Sequence, residues 1–256
     1  MKKLITRNDG SNSEGVGSIL QGILHLYAFC KINNLEFVCN KLKNISHFQY
    51  TDFDSNQYSE KLNNFFNLHT ENSEFDEFVD PSWLILNWGE QFNQEKKKHI
   101  KDLFNKINYQ GKNLFDNDKK SLSVHIRNIN EQDVCFDQRR ELFSEKKKNY
   151  YINILENILK NEEQEFDIHI FSQGNYEEFK LFEERFNAKI NLNSDIIETL
   201  YHLITCNYLV TSNSSFSWIS HLYGQNEKVF SRDNFFHSWY SETILVDYNG
   251  NYIQKN

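Results

Sequence analysis

Tyr208-Leu209-Val210-Thr211-Ser212-Asn213-Ser214-Ser215-Phe216-Ser217-Trp218 decides how the second half of the chain folds. It begins as a short apolar run, becomes small and polar at Ser212–Ser215, and then carries apolar residues at helical spacing through Tyr223. A strand, a polar turn and a helix in that order form the repeating unit of an α/β sheet. One serine suffices to cap a helix, and here Ser212, Asn213, Ser214 and Ser215 stand in a row before an aromatic, Phe216. Hydroxyls and backbone N–H groups gathered at a helix N-terminus favour an anion. Capping alone remains the simpler reading of the same four residues.

Working outward, strands are expected at Ser121–Arg127, Asp167–Ser172, Ala188–Leu192, Tyr208–Ser212 and Lys228–Phe230. Helices are expected near Glu145–Lys160, Tyr176–Phe186, Asp195–Thr205 and Ser215–Tyr223. Strict alternation implies a parallel sheet covered by helices, in which ligands collect at the carboxyl ends of the strands. The first half reads less regularly. Leu4–Thr6 is an expected strand, Gly15-Val16-Gly17 a turn, Ser18–Asn33 a helix and Leu35–Val38 a second strand. Asn40–Asp80 shows little periodicity; Trp83–Asn87 reads as a strand and Gln94–Ile107 as an amphipathic helix. The polar stretch Tyr109–Lys120 reads as a linker, dividing the chain into an N-terminal α/β domain, residues 1–115, and a C-terminal Rossmann-like domain, residues 116–256. The lysine runs Lys96–Lys98 and Lys146–Lys148 read as solvated helix faces.

Ser121–Arg127 is expected to carry a second set of functional residues. Period-two alternation places His125 and Arg127 on one face at the strand's carboxyl end. A charged residue there is costly to bury without an anion, and the planar guanidinium of Arg127 suits a phosphate bidentately, although a surface ion pair explains it equally well. Gly15 and Gly17 between strand and helix allow close backbone approach to a phosphate, but Leu20 stands where a dinucleotide fingerprint has its last glycine. Asp52-Phe53-Asp54 has the spacing of a metal–diphosphate site and is read as a chance triplet, so no metal is expected. No Gly-Lys-Ser/Thr loop, HExxH helix or Gly-x-Ser-x-Gly elbow occurs, which argues against phosphate-loop NTPases, zincins and serine hydrolases.

Composition agrees with an enzyme-sized globular chain. Its 256 residues are 39% hydrophobic, 15% aromatic and 25% charged, ample for a packed core. A net charge of −8 argues against a nucleic-acid binder that neutralises phosphates along a basic face. Cys30, Cys39, Cys135 and Cys206 form no CxxC pair and are expected to be reduced, mostly buried thiols. The N-terminus has no apolar signal region, and Val16–Cys30 is broken by Ser18, Gln21 and His25. A cytoplasmic location without a transmembrane segment is expected, with a peripheral role at a membrane's inner face left open.

Three blocks together resemble the α-1,2-fucosyltransferases of glycosyltransferase family 11 and, more distantly, the wider GDP-fucose fucosyltransferase group. Gly15-Val16-Gly17-x-x-x-Gln21 resembles the N-terminal Gly-x-Gly-Asn-Gln-x-x-Gln block, and His125-Ile126-Arg127 the start of His-x-Arg-Arg-x-Asp. Cys206 through Asn213-Ser214-Ser215-Phe216-Ser217-Trp218 resembles the C-terminal block. The family's second arginine position is Asn128, its acidic position falls at Asn130 or Glu131, and an acidic pair after the Phe171-Ser172 strand is Gln173-Gly174.

The resemblance implies a GT-B architecture of two Rossmann-like domains, with donor held mainly by the C-terminal one and acceptor by the N-terminal one. It further implies fucose transfer from GDP-fucose to a glycan, a galactoside above all, with inversion and without a required cofactor or metal. Arg127 would bind the diphosphate, His125 would lie beside nucleotide or sugar, and Ser214 and Ser215 would cap a phosphate. Glu131, with Asp133 behind it, is the candidate general base. The alternatives are a catalytically silent nucleotide-sugar or glycan-binding protein and a GT-B transferase using another donor.

Overall fold

The computed structural model describes residues 1–6, 15–46, 53–70, 74–80, 93–128, 145–232 and 243–253. The chain is α/β, with parallel sheets flanked by helices. It divides into two compact units, Met1–Gly111 with Trp218–Gly224 and Lys112–Ser217 with Gln225–Asn256.

In the first unit, β1 (Lys3–Ile5) lies between β2 (Glu36–Phe37) and β3 (Glu77–Phe78) in a parallel three-stranded sheet. The helix α1 (Val16–Ile32) is apolar on almost every side, and Leu26 and Cys30 pack with Leu4 of β1. Within the weakly periodic stretch stands α2 (Ser55–Phe66), started by Asp54, whose carboxylate accepts from the N–H groups of Asn56 and Gln57 at 2.8 and 2.9 Å. Gln57 reaches back to the Asp54 N–H at 3.1 Å, completing a capping box. That spacing, Asp54-x-x-Gln57, was the available sequence signal. The expected strand Trp83–Asn87 lies outside the described residues.

The helix α3 (Asn93–Asp102) runs into a 3₁₀ turn, Leu103–Lys106. It corrects one expectation: Lys96 and Lys97 are buried, and Lys98 alone of that run is exposed. Because α1 is apolar nearly all round it needs cover, and lysine stems, four methylenes long, provide it from α3. Burial lowers the Lys96 ammonium to about 8. In the second run, the side chains of Lys146 and Lys147 lie outside the described residues, while Lys148 is half-buried.

His25 is buried on α1, its Nδ1 donating to the Gln21 carbonyl at 2.7 Å and its ring 5.1 Å from that of Trp218. Burial, with Lys96 nearby, pushes its pKa down to about 4. The folded state therefore binds this proton less well than the unfolded chain, and the stability it supplies is present above about pH 6.5 and lost as pH falls toward 4. At about 1.4 kcal/mol per unit, that loss is about 3 kcal/mol. Urea titrations from pH 7 to 4 should show a falling midpoint, and His25→Asn should flatten that slope; an identical slope in the variant contradicts it.

The second unit contains the sheet order β6 (Lys189–Leu192), β5 (Phe166–Ser172), β4 (Lys120–Ile126), β7 (Tyr208–Val210), β8 (Lys228–Arg232) and β9 (Thr243–Val246), all parallel. Its helices are α4 (Glu145–Asn161), α5 (Lys180–Phe186), α6 (Ile196–Thr205) and α7 (Ser215–Tyr223). The expected strands and helices are all present, within a few residues at their ends, whereas β9 was not foreseen. The central strand β4 is buried on both faces, as a parallel interior strand must be. Leu122, Val124 and Ile126 pack with Tyr151, Ile154, Leu155 and Ile158 of α4. The opposite residues are Ser121, Ser123 and His125, and Ser123 Oγ donates to the His202 carbonyl of α6 at 3.3 Å. This small, polar face lets α6 come close and directs His125 to the side of the sheet where α7 begins.

Cys30, Cys39 and Cys206 are buried free thiols, each raised by burial to about 12; Cys135 lies outside the described residues.

Candidate active site

The carboxyl ends of β4 and β7 bring His125 to the start of α7. Register pairs Val124 with Val210, so the residues that follow on each strand emerge side by side. After Val210 the chain turns through Thr211–Ser214. The Ser214 N–H donates to the Ser212 carbonyl at 2.9 Å, and Ser214 Oγ then caps the helix by accepting the Ser217 N–H at 3.2 Å.

Three serine hydroxyls and one imidazole meet there. Ser212 Oγ lies 3.0 Å from each of His125 Nδ1, Ser214 Oγ and Ser217 Oγ. Ser217 Oγ is 2.5 Å from His125 Nδ1 and accepts the Ser212 N–H at 3.1 Å. The Phe216 ring sits 5.2 Å from the imidazole, tilted by 47°. His125, Ser212 and Ser217 are buried, Ser214, Ser215 and Phe216 are half-buried, and Asn213 is exposed. Two of these contacts, Ser212 and Ser217 to the histidine, were not anticipated in that role. Ser217 stands three residues after the cap, the position from which a capping box reaches back, and that spacing was the available clue.

Arg127 follows the last residue of β4 and is half-buried. Asn128, at the second arginine position of the family motif, is tied down: its Nδ2 donates to the Gln173 carbonyl at 2.9 Å and to Glu178 Oε2 at 3.2 Å. The neighbouring turn is also held, with Ser172 Oγ donating to the Ile126 carbonyl at 2.7 Å. Gly174 has φ +119°, a conformation that L side chains rarely adopt, and exchanges two 3.1 Å hydrogen bonds with the Asn193 side chain. The Gln173-Gly174 pair therefore builds a rigid turn at this edge of the sheet.

The remaining expected residues fall elsewhere. Gly15 and Gly17 belong to the first unit, where Gly15 is the N-cap of α1 in an extended conformation and its carbonyl accepts from Ser18 and Ile19 at 3.1 and 3.3 Å. Neither glycine has a positive φ. Glu131, Asp133 and Asp52 lie outside the described residues. Asp54 is engaged in the cap of α2. Among the described residues no group of three or more His, Cys, Asp and Glu side chains has metal-binding geometry, and no helix is long and apolar enough to cross a membrane.

Two buried histidines, His169 of β5 and His202 of α6, bind the segment that leads into β4. Leu114 N–H donates to His202 Nε2 at 3.0 Å, while His202 Nδ1 donates to the Glu198 carbonyl at 2.7 Å, so this ring is neutral. His169 bonds Asp167 at 3.1 Å, and the Asp116 N–H donates to the same carboxylate oxygen at 2.8 Å. Phe115 packs edge-on against both imidazoles. Burial lowers the pKa of both histidines, and this pair fastens Leu114–Asp116 to the sheet.

No protein-family model matches the chain, and no curated protein sequence matches it. Among solved structures, it is similar to the NodZ α-1,6-fucosyltransferase from a crystal soaked with GDP-fucose. The two are 9% identical, with a TM-score of 0.46, over 91% of this chain and 94% of that one.

Proposed function

We propose that the chain is an inverting glycosyltransferase that moves fucose from GDP-fucose to a glycan acceptor, a galactoside in the first instance. The observation that carries this reading is the meeting of His125 with the serine turn at the head of α7, at the carboxyl end of a parallel sheet. Arg127 lies two residues beyond His125. A nucleoside diphosphate suits that chemistry, since hydroxyls, a helix N-terminus and a guanidinium all favour phosphate oxygens. The sequence blocks that resemble the GDP-fucose fucosyltransferases contain these same residues.

In this reading the acceptor hydroxyl attacks the anomeric carbon from the face opposite the diphosphate, the sugar–phosphate bond breaks, and GDP leaves with the bonding pair. Arg127 and the Ser214–Ser215 end of α7 stabilise the charge that grows on the leaving group, and Glu131 takes the proton of the attacking hydroxyl. The protein incubated with GDP-fucose and a galactoside should release GDP in proportion to fucosylated product. GDP binding without turnover would instead favour a nucleotide-sugar-binding protein, a reading to which the engaged side chain of Asn128 lends weight. Excess EDTA should leave turnover within about twofold, because Asp54 is used as a helix cap and the charge donors are side chains. Activity lost with EDTA and restored by Mg²⁺ would contradict the metal-free mechanism.

A further inference from the structure

Ser217 is 0% exposed, so it cannot itself touch a ligand, yet it makes the shortest contact with the imidazole of His125, 2.5 Å from its Oγ to Nδ1. We propose that Ser217 is a positioning residue that donates its hydroxyl proton to Nδ1 and thereby sets His125 as a hydrogen-bond donor through Nε2. The inference rests on the donor-site reading above and assigns a role within it.

Hydrogen-bond accounting supports the direction. One lone pair of Ser217 Oγ is taken by the Ser212 N–H at 3.1 Å, which fixes Ser217 as an acceptor toward the loop. Its single proton has two candidate acceptors, His125 Nδ1 at 2.5 Å and Ser212 Oγ at 3.0 Å, while Ser214 Oγ, at 3.4 Å, is placed to donate to it. The nitrogen is the nearer and the stronger acceptor of the two. With Nδ1 accepting, a neutral imidazole carries its proton on Nε2. The other hydroxyls follow in a chain, since Ser214 Oγ lies within 3.0 Å of Ser212 Oγ and Ser212 Oγ within 3.0 Å of Ser217 Oγ. Each can donate to the next toward the histidine, and such chains strengthen their members.

This has a functional consequence. An Nε2–H suits a phosphate oxygen, whereas a general base needs an unprotonated nitrogen facing the acceptor hydroxyl. In the proposed transfer, Ser217 would thereby suit His125 to the leaving group, with proton removal assigned to a carboxylate. The ring is also held in rotation, with Phe216 on one side and the Ser217 hydroxyl on Nδ1.

Nitrogen NMR of the histidine rings reads this directly. In the wild-type protein at pH 7.5, the His125 resonances, assigned by loss in His125→Gln, should show a protonated Nε2 and an unprotonated, hydrogen-bonded Nδ1. GDP should shift the Nε2 signal. Ser217→Ala should move the ring toward a mixture of tautomers and weaken GDP binding about tenfold, the value of one hydrogen bond to a charged group. Thermal unfolding monitored by circular dichroism checks that the variant is folded, and the wild-type spectrum tests the tautomer even if it is not. A protonated Nδ1 in the wild type, or an unchanged ring in a folded Ser217→Ala, overturns the positioning role while leaving GDP binding intact. GDP that moves neither His125 nor the melting temperature overturns the donor-site reading, and the positioning role with it.

Discussion

Arg127→Ala is expected to lower turnover by roughly 10²–10³-fold and to abolish stabilisation by GDP, the usual cost of removing one charge donor from a developing anion. Arg127 follows β4 directly, two residues beyond His125 and its serine hydroxyls. A guanidinium there would meet phosphate with two parallel hydrogen bonds, so Arg127→Lys should recover little of the loss, because an ammonium is a point charge. Stability should change little, since Arg127 lies outside the apolar cluster formed by Leu122, Val124 and Ile126 with α4. Wild-type turnover in the alanine variant would contradict the assignment of the diphosphate to this end of the sheet.

Glu131→Gln should reduce turnover by roughly 10²–10⁴-fold while GDP binds normally, the range typical of general-base removal. A base acts on the acceptor hydroxyl and contributes nothing to holding the donor, so chemistry and donor affinity should separate in this variant. Glu131 is preferred over Asp133 because it falls nearer the acidic position of the family motif, and Asp133→Asn provides the comparison. Equal losses in turnover and GDP affinity would make Glu131 a donor ligand. Full activity in both variants would assign the base elsewhere, and Glu14 and His25 would be tested next. His25 starts at a disadvantage as a base, since its Nδ1 is already committed to the Gln21 carbonyl and its ring is buried.

How far the sequence could be read depended on how regular its periodicity was. In the second unit, strands such as Ser121–Arg127 and Asp167–Ser172 are buried on both faces and alternate with helices of ordinary length, so pattern and architecture agree. In the first unit, β2 lies within the expected strand Leu35–Val38, whereas β3 is two residues long and owes its pairing to β1, which no local pattern reveals. Lys96 and Lys97 misled for a related reason: charge predicts exposure only when the neighbouring helix does not need covering.

At the site, the serine turn and His125 were each legible, the first as a helix start and the second as the end of a buried strand. Their meeting was not, because Ser212 and His125 are 87 residues apart and only the β4–β7 pairing joins them. Ser217 carries no signal of its own within the motif, since its role depends on the loop folding back to give it the Ser212 N–H. Likewise Asn128 looked like the loss of an arginine, whereas it fastens the Gln173-Gly174 turn.

A thermal-shift series with GDP, UDP, ADP and inorganic phosphate on the wild-type protein and on Arg127→Ala tests the donor site most directly, because a ligand that binds only the folded state raises its stability by RT ln(1 + [L]/Kd). GDP should raise the wild-type melting temperature more than the other three, and the Arg127→Ala melting temperature should not respond. A wild-type protein indifferent to every nucleoside diphosphate, or an alanine variant stabilised by GDP as fully as the wild type, would contradict a nucleotide-sugar site built on His125, Arg127 and the serine turn.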